Sequence, residues 1–355
     1  MTAESRNIGV GLIGCGHIAR AVHLKILARM PGARVVAVAE PDERSRAAAL
    51  GEVPAARAFR DYRELLEDPA TDAVVVSLPS GLHAEAAIAA LEAGKHVYLE
   101  KPLATDAAGG RAVLSAWRKS GRVGMIGFNY RFNRLFLDAA RLLASREAGD
   151  PIAVRSIFAS APRQLGGWKA ERGHGGGVLL DLASHHVDLS RFLFREEVAD
   201  VDCALRSVRT EDDTASLQLR LAGGMLVQSF FSHCAADEDR FEIYCERGKI
   251  TVERGAGLAA FVSRGRRETR RVDSIRRAWS AARNARYGYE KFRAFGHEPS
   301  WALAFARFLA CVRSERAASP DLEDGWRSLE VVLAAEEAAR SGRRVSLPGT
   351  RISVP

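Results

Sequence analysis

The sequence predicts an α/β protein of two domains, and three observations support this. The chain has 355 residues, which is too long for one typical domain and suits two. Up to Phe128 short apolar runs alternate with helical patterns, which indicates a parallel sheet with helices on both faces. After Asn129 longer strand-like runs follow one another with Gly-Gly and Arg-Gly punctuation, which favours antiparallel neighbours. We therefore expect one domain over residues 1–128 and a second over residues 129–355.

The predicted first domain has six strands with helices between them. Short apolar runs bounded by turn residues are typical of strands buried on both faces. In chain order the strand segments are NIGVGLIG, ARVVAVA, a weaker one near ARAF, DAVVVSLP, KHVYLE and RVGMIGF. The helical patterns are HIARAVHLKILARM, PDERSRAAAL, YRELLED and AEAAIAALEAG. Pro31-Gly32 ends the first of these helices and Gly94 ends the last.

The predicted second domain opens with a helix, RLFLDAARLLASREAG, which leads into Asp150-Pro151. Six strand segments follow: IAVRSIFAS, ADVDCALRSV, TASLQLRLAG, GMLVQSFFSH, DRFEIYCER and GKITVERG. Two helices, SWALAFARFLACVRS and LEDGWRSLEVVLAAEEAARSG, close the chain.

Composition narrows the function classes. The hydrophobic content of 47% and charged content of 27% are ordinary for a folded protein. The net charge of +8 fits either anionic ligands or an arginine-rich codon bias. The five scattered cysteines form no CxxC motif, so neither a disulfide framework nor a metal site is expected. No targeting segment and no run of about 20 apolar residues is apparent, so we expect a cytoplasmic protein without a membrane partner.

A glycine-rich turn joins the first strand to the first helix in GLIGCGHIA. Gly14-x-Gly16-x-x-Ala19 fits the fingerprint that brings backbone close to a pyrophosphate at a helix N-terminus. Alone, such a match can be a plain tight turn. Here the second strand ends at Glu40, about 20 residues on, where an acid bonds the ribose 2′-hydroxyl. The strand, turn, helix and acid together predict dinucleotide binding. Glu40 would repel a 2′-phosphate and so favours NAD(H) over NADP(H), and Arg44, one helical turn further on, slightly weakens that preference.

A second strand end, in SLPSGLH, is expected to border the cofactor. Ligands of parallel sheets bind at the carboxyl ends of the strands, which places Ser77, Leu78 and Pro79 there. A simple Pro-Ser-Gly turn would give the same residues. His83 is either part of this site or, more simply, a surface histidine before a helix.

A third strand end, in HVYLEKPLATD, places Glu100, Lys101 and Pro102 in a row. Pro102 restricts Lys101 to an extended conformation and makes a cis peptide accessible. A strand end at the mouth of a parallel sheet is where a reacting group is expected, and Lys101 is held still there.

A chemically dense helix follows three glycines in GGGVLLDLASHHVDLSRFLF. At about 100° per residue, Asp181, His185, Asp188 and Phe192 share one face. An Asp181–His185 pair taken alone can equally be a structural hydrogen bond. His186 points about 100° away from His185, so we expect it to be packed rather than reactive.

The fingerprint, LEAGKHVYLEKPLATD and GGGVLLDLASHHVD occur in that order. The chain thereby resembles the Gfo/Idh/MocA family of NAD(P)-dependent sugar oxidoreductases over nearly its whole length. The resemblance implies an N-terminal Rossmann domain and a C-terminal domain with an open, mostly antiparallel mixed sheet. It also implies a homodimer or homotetramer. Ala183 and Arg134 stand where relatives commonly have glycine and proline. The family's substrate assignments therefore apply less directly to the loop after Asn129.

The motifs and the resemblance together assign the site residues. The resemblance implies that Lys101 and His185 flank the substrate beside the nicotinamide and that Asp181 lines the site, so these three are predicted to be catalytic. Next to an oxidised nicotinamide and partly desolvated, Lys101 loses affinity for its proton and can orient a substrate hydroxyl or help to deprotonate it. The residues predicted to bind the cofactor are Gly14, Gly16, His17, Ile18, Ala19, Glu40, Ser77, Leu78, Pro79, His83, Glu100, Lys101 and Asn129. Those predicted to bind the substrate are Lys101, Arg131, Trp168, Asp181 and His185.

These assignments predict an NAD-dependent oxidoreductase that acts on a hydroxyl-bearing carbon of a sugar, sugar derivative or cyclitol. Two alternatives remain open. One is a glycosidase that uses NAD transiently for oxidation, elimination and re-reduction, and the other is a non-catalytic sugar- or cofactor-sensing protein. The retention of Lys101, Asp181 and His185 argues against the second alternative.

An arginine-rich segment between Arg264 and Arg293 includes the helix-like DSIRRAWSAARNAR. An anion site or a partner surface would use such a segment, but a solvated basic helix is the simpler interpretation. Aromatic residues interleave only sparsely and no nucleic-acid-binding motif occurs, so no nucleic-acid partner is expected.

Overall fold

The computed structural model describes residues 7–162, 167–255, 257–264, 274–275, 278–279, 281–282, 284–293 and 298–347. The chain divides into two compact units. The first contains Met1–Asn129 and Trp301–Leu329, and the second contains Tyr130–Ser300 and Glu330–Pro355. This division differs from the predicted one because residues 301–329 return to the N-terminal unit.

The first unit is built on a parallel sheet of six described strands. They are β1 (Ile8–Ile13), β2 (Ala33–Ala39), β3 (Arg57–Phe59), β4 (Ala73–Val76), β5 (His96–Leu99) and β6 (Gly124–Ile126). Their order is β3-β2-β1-β4-β5-β6, and every pair is parallel. All residues of β1 and β4 are buried, as expected for continuous apolar runs covered on both faces. The predicted parallel α/β domain is confirmed.

Helices connect these strands. They are a π-helical turn (Ala19–His23) continued by α1 (Leu24–Leu27), then α2 (Glu43–Glu52), α3 (Tyr62–Glu67), α4 (His83–Glu92) and α5 (Ala107–Ser120). Asp42, Asp61 and Asp106 accept hydrogen bonds from the backbone at the starts of α2, α3 and α5. Such aspartates accept hydrogen bonds from amides that have no partner within the helix. The sequence itself therefore determines where these helices begin.

The returning segment packs against the first unit through aromatic side chains. Helix α8 (Ala285–Arg293) precedes this segment. The segment contains most of α9 (Ser300–Ser314) and the start of α10 (Leu322–Ser341). The Phe305 ring lies 4.7 Å from that of Tyr98 in β5. A Cβ built on Gly110 of α5 would lie 2.6 Å from the Trp326 ring. Burial of these rings explains why residues 301–329 belong with the N-terminal sheet.

The second unit contains a mixed sheet of eight described strands. They are β7 (Pro151–Ala159), β8 (Val198–Arg206), β9 (Thr214–Leu221), β10 (Leu226–Ser232), β11 (Glu238–Cys245), β12 (Gly248–Glu253), β13 (Phe261–Ser263) and β14 (Val345–Ser346). The order is β13-β12-β11-β7-β10-β9-β8-β14. Only the β7–β10 pair is parallel among them. The predicted open, mostly antiparallel sheet is confirmed.

Helices of the second unit include α6 (Arg134–Ala144) and α7 (Ser184–Phe194), which continues a π-helical turn over Leu179–Ala183. Most of the segment DSIRRAWSAARNAR, and with it most of the arginine-rich segment, lies outside the described residues. In the described part of the chain, no helix is long and apolar enough to cross a membrane.

Candidate active-site residues

Gly14 makes the turn that ends β1. Its φ of +89° is left-handed, and a Cβ there would lie 2.5 Å from the carbonyl oxygen of Ser77. Only glycine meets both conditions, so the loops after β1 and β4 touch through their backbones. A Cβ on Gly16 would have no described atom within 4 Å, and the next residues, His17 and Ile18, are exposed. This open stretch of turn fits the approach of a dinucleotide phosphate.

Glu40 follows β2, and its carboxylate is held by two backbone amides. Oε2 accepts from the amide of Cys15 at 2.8 Å, and Oε1 accepts from that of Asp42 at 3.0 Å. Each carboxylate oxygen keeps further acceptor capacity, so the group can still bind a ribose hydroxyl. Ala19, the last residue of the fingerprint, is fully buried and begins the π-helical turn.

The loop after β4 contains Ser77, Leu78 and Pro79. Ser77 Oγ is buried and has no hydrogen-bond partner among the described residues, which suits a group that serves a bound ligand. The interpretation of His83 as a surface histidine is wrong, because this residue is 1% exposed. Its ring lies between the carbonyl oxygens of Leu78 and Pro102, and these contacts bury it.

The end of β5 carries Glu100 and Lys101. The Lys101–Pro102 peptide is cis, the isomer that the sequence made accessible. Glu100 Oε1 lies 3.0 Å from Nε2 of His23, whose side chain is fully buried. Lys101 is half-buried. Asn129, which follows β6, is 1% exposed and donates its backbone amide to Gly127.

In the second unit, α7 places His185 in a buried aromatic setting. The His185 ring stacks on Tyr130 at a centroid distance of 4.2 Å and an interplanar angle of 15°. The Arg254 guanidinium lies 4.5 Å from the centroid of the same Tyr130 ring. Because both faces of an aromatic ring attract cations and flat groups, the stack fixes the plane of the imidazole.

Asp181 lies in the π-helical turn before α7. Its Oδ2 is 3.4 Å from Nζ of Lys169 and 3.7 Å from Nε2 of His233. Lys169 Nζ also lies over the ring of Trp168, at 5.4 Å. A Cβ on Gly176 would lie 2.4 Å from the carbonyl oxygen of Lys169, so this glycine lets the two backbone segments meet. One carboxylate oxygen of Asp181 therefore lies close to both the Lys169 ammonium and the His233 imidazole.

The π-helical turn also affects the prediction that Asp181 shares one helix face with His185, Asp188 and Phe192. A π turn holds more residues than an α turn, so the rotation of about 100° per residue does not extend back to Asp181. Within α7 it does hold, since Asp188 and Phe192 both contact the Arg131 guanidinium. A direct Asp181–His185 bond stays a prediction.

Arg131 forms a buried two-point ion pair with Asp188. Its Nε and Nη2 donate to the two carboxylate oxygens at 2.9 and 2.6 Å, and the side chains are 8% and 1% exposed. Such fork-to-fork pairs are strong and geometrically specific. The structure thus commits much of the Arg131 guanidinium to holding α7, whereas the sequence assigned it to the substrate.

His186 packs on the other side of α7, as expected. Its Nε2 lies 3.4 Å from Asp239 Oδ1, while Tyr130 and Arg254 donate to Oδ2 at 3.2 and 2.5 Å. Burial alone would raise the pKa of Asp239, but Arg254 and His186 outweigh it and hold that pKa at about 2. Asp239 is therefore a buried carboxylate that links both histidine environments.

Comparison with known proteins identifies the family. Residues 8–128 match "Oxidoreductase family, NAD-binding Rossmann fold", and residues 136–251 match "GFO/IDH/MocA C-terminal domain". The chain is 30% identical to an inositol 2-dehydrogenase of Rubrobacter xylanophilus, over 96% of this chain and 94% of the relative. The chain belongs to the Gfo/Idh/MocA oxidoreductase family.

Two further proteins are similar over comparable lengths. A 1,5-anhydro-D-fructose reductase of Ensifer adhaerens is 30% identical over 95% of this chain and 98% of its own. The WlbA dehydrogenase of Bordetella pertussis, solved with NADH and UDP-GlcNAcA, has a TM-score of 0.82 at 24% identity. That match covers 97% of this chain and 98% of the other, and it shows a shared fold. The family model makes residues 8–128 an NAD-binding Rossmann domain.

Sequence motifs of the Gfo/Idh/MocA family did not reveal four residues around the second-unit site. They are Tyr130, Lys169, His233 and Arg254. Each comes from a different segment, so no local spacing joins it to α7. Tyr130 and Lys169 adjoin the predicted Asn129 and Trp168, and this adjacency was the one available signal.

We expect Asp239 to stabilise the fold in a pH-dependent way. The folded state holds its pKa at about 2, below the ordinary value of 3.8. The stabilisation is therefore present above about pH 4 and is lost as the pH falls towards 2, by about 2 kcal/mol. Urea unfolding of the wild type and Asp239→Asn between about pH 5 and pH 2 should show a smaller loss of stability in the variant. Asp202→Asn, at an exposed position of β8, should follow the wild type. Parallel curves for the wild type and Asp239→Asn would contradict the assignment.

Proposed function

We propose that this protein is an NAD-dependent dehydrogenase or reductase acting on a hydroxyl-bearing carbon of a sugar, sugar derivative or cyclitol. The observation that carries the proposal is the buried His185, stacked on Tyr130, in a chain that also has the Glu100-Lys101-Pro102 strand end. Relatives named inositol 2-dehydrogenase and 1,5-anhydro-D-fructose reductase, each 30% identical, support the substrate class. The nicotinamide would supply the hydride chemistry.

The protein's own groups would move the proton. In the oxidising direction His185 accepts the proton of the reacting hydroxyl, and Lys101 binds the same hydroxyl; in reduction the roles reverse. Tyr130 fixes the imidazole plane. Asp181, beside Lys169 and His233, accepts hydrogen bonds from substrate hydroxyls. Either Lys101 or His185 can be the principal acid or base.

NAD(H) is the proposed cofactor in preference to NADP(H). The Glu40 carboxylate is anchored by the Cys15 and Asp42 amides, so it cannot easily swing away from a ligand in the turn. A fixed negative charge accepts from a ribose 2′-hydroxyl and repels a 2′-phosphate.

A homodimer or homotetramer is proposed through the outer face of the second-unit sheet. Leu226, Phe230 and Tyr244 are exposed and share one face of the neighbouring strands β10, β7 and β11, by their register through Ala153 and Ile157. Exposed apolar side chains on a broad face mark association surfaces. Five free cysteines fit a reducing compartment, so the cytoplasm stays the proposed location.

The substrate class is tested by incubating the protein and NAD⁺ with a panel of cyclitols, sugars, amino sugars and nucleotide sugars. We expect NADH to form with at least one compound. Lys101→Ala and His185→Ala should each lower kcat by roughly 100-fold, as for lost acid–base groups, with little change in NADH affinity. Because both groups act on one hydroxyl, the double variant should lose less than the product of the two losses.

Product analysis separates this function from its alternatives. Release of a free sugar without net NADH would indicate the glycosidase. The absence of any turnover across the panel would favour a sensing protein. Full activity of both single variants would overturn the proposed catalytic roles.

Cofactor preference is tested by calorimetric titration with NADH and NADPH. We expect NADH to bind at least tenfold more tightly, about 1.4 kcal/mol or more. Glu40→Gln keeps the shape but not the charge, so the preference should shrink. Glu43→Gln, at an exposed site in the first turn of α2, should leave it unchanged. Tighter NADPH binding by the wild type would refute the role of Glu40.

Oligomeric state is tested by sedimentation. The wild type should have the mass of a dimer or tetramer, and Leu226→Glu combined with Phe230→Glu should give a monomer. Leu303→Glu changes an equally exposed apolar residue of α9 and should keep the wild-type mass. A monomeric wild type would rule the interface out.

A further inference from the structure

His83 bridges two loops of the first unit. It begins α4 and is 1% exposed. Its Nδ1 lies 2.6 Å from the carbonyl oxygen of Pro102, and its Nε2 lies 2.9 Å from that of Leu78. Leu78 belongs to the loop after β4, and Pro102 directly follows Lys101 after β5. These strands are neighbours in the sheet, so one imidazole spans the gap between their ends.

We propose that His83 is a positioning residue, which fixes the backbone of Lys101 and Pro102 against the Leu78 loop. This inference rests on the proposed function, in which Lys101 touches the reacting hydroxyl. In this role His83 touches neither substrate nor cofactor, in place of the cofactor contact that the sequence predicted. Both ring nitrogens lie against backbone carbonyls, so the ring acts on the reaction only through the loops that it joins.

A histidine is suited to this bridge because its two nitrogens point in different directions from one rigid ring. Burial lowers the pKa of His83 most strongly, while the bonds to Pro102 and Leu78 and the charge of Glu100 raise it and that of Lys101 lowers it; the net direction is down. A neutral imidazole donates one hydrogen bond. The shorter contact, to Pro102, is therefore assigned the donated bond, so the ring is hydrogen-bonded to the lysine loop and only packs against the Leu78 carbonyl.

The functional consequence follows from the length of the lysine side chain. Four methylenes separate the Lys101 ammonium from its backbone, so a small backbone shift moves the ammonium further. Misplacement of a reacting group by about 1 Å can cost about 100-fold in rate. Removing the bridge should thus lower kcat while the residues that hold pyrophosphate and ribose stay in place.

Three substitutions separate the two contacts. His83→Ala removes both and should lower kcat by about 10-fold to 100-fold. Asparagine places its amide nitrogen near the position of Nδ1, so His83→Asn should restore most of kcat through Pro102. Glutamine places its amide nitrogen near that of Nε2, so His83→Gln can donate to Leu78 but not to Pro102 and should leave kcat low.

A control variant, His96→Ala, and a Lys101→Ala background show whether the effect of His83 acts through Lys101. His96→Ala changes a half-buried histidine at the opposite end of β5, where its Nδ1 accepts from the Val123 amide; it should leave kcat unchanged even if the melting temperature falls. In the Lys101→Ala background, His83→Ala should lower kcat by less than about threefold, because coupled residues are not additive.

Each other outcome has one meaning. If Lys101→Ala is impaired but His83→Ala is as active as the wild type, the positioning role is refuted and the proposed function stands. If all three His83 variants lose kcat in proportion to their melting temperatures, His83 is merely structural and the inference is likewise refuted. If Lys101→Ala is fully active, the failure lies in the proposed function. Should His83→Ala not fold, the split between His83→Asn and His83→Gln still decides the question.

Discussion

The close approach of the loops after β1 and β4 is the constraint on which the first unit depends. The carbonyl oxygen of Ser77 lies where any side chain at position 14 would begin, so the turn tolerates glycine alone. This contact lets β1 lie between β2 and β4 in parallel register. The ends of these strands then meet at one edge, which brings Glu40 and the Ser77 loop beside the fingerprint. The chemistry of this edge is a consequence of parallel pairing.

In the second unit the main constraint is the orientation of one imidazole ring, that of His185. A buried arginine is costly unless it is paired, and Arg254 is paired with Asp239 and lies near Glu298. The same carboxylate accepts from Tyr130. Tyr130 is thus held by its hydroxyl and by the cation over its ring, and its ring also stacks on that of His185. The orientation of the His185 ring therefore depends on a charge network of Arg254, Asp239 and Tyr130.

The sequence predicts those features that are set by neighbours along the chain. Strands, helices and the fingerprint follow from apolar periodicity, caps and glycine, and the lysine strand end follows from Pro102. Features set by distant segments were missed. The burial of His83 comes from carbonyls at positions 78 and 102, and the π-helical turn at Asp181 interrupts the periodicity that the helical argument assumes. Lys169 and His233 reach Asp181 from separate segments, so no spacing could have named them.

The adjacent histidines His185 and His186 lie on different faces of α7 and have different neighbours. His185 stacks on Tyr130, whereas His186 stacks on Phe158 and faces Asp239. The roles differ, but Asp239 connects them, since it bonds Tyr130 as well. A change at His186 can therefore reach His185 through Asp239 and Tyr130, by three successive contacts. Removing His186 alters the electrostatics of Asp239 and Tyr130, so a loss of activity there measures the network and not a second catalytic group.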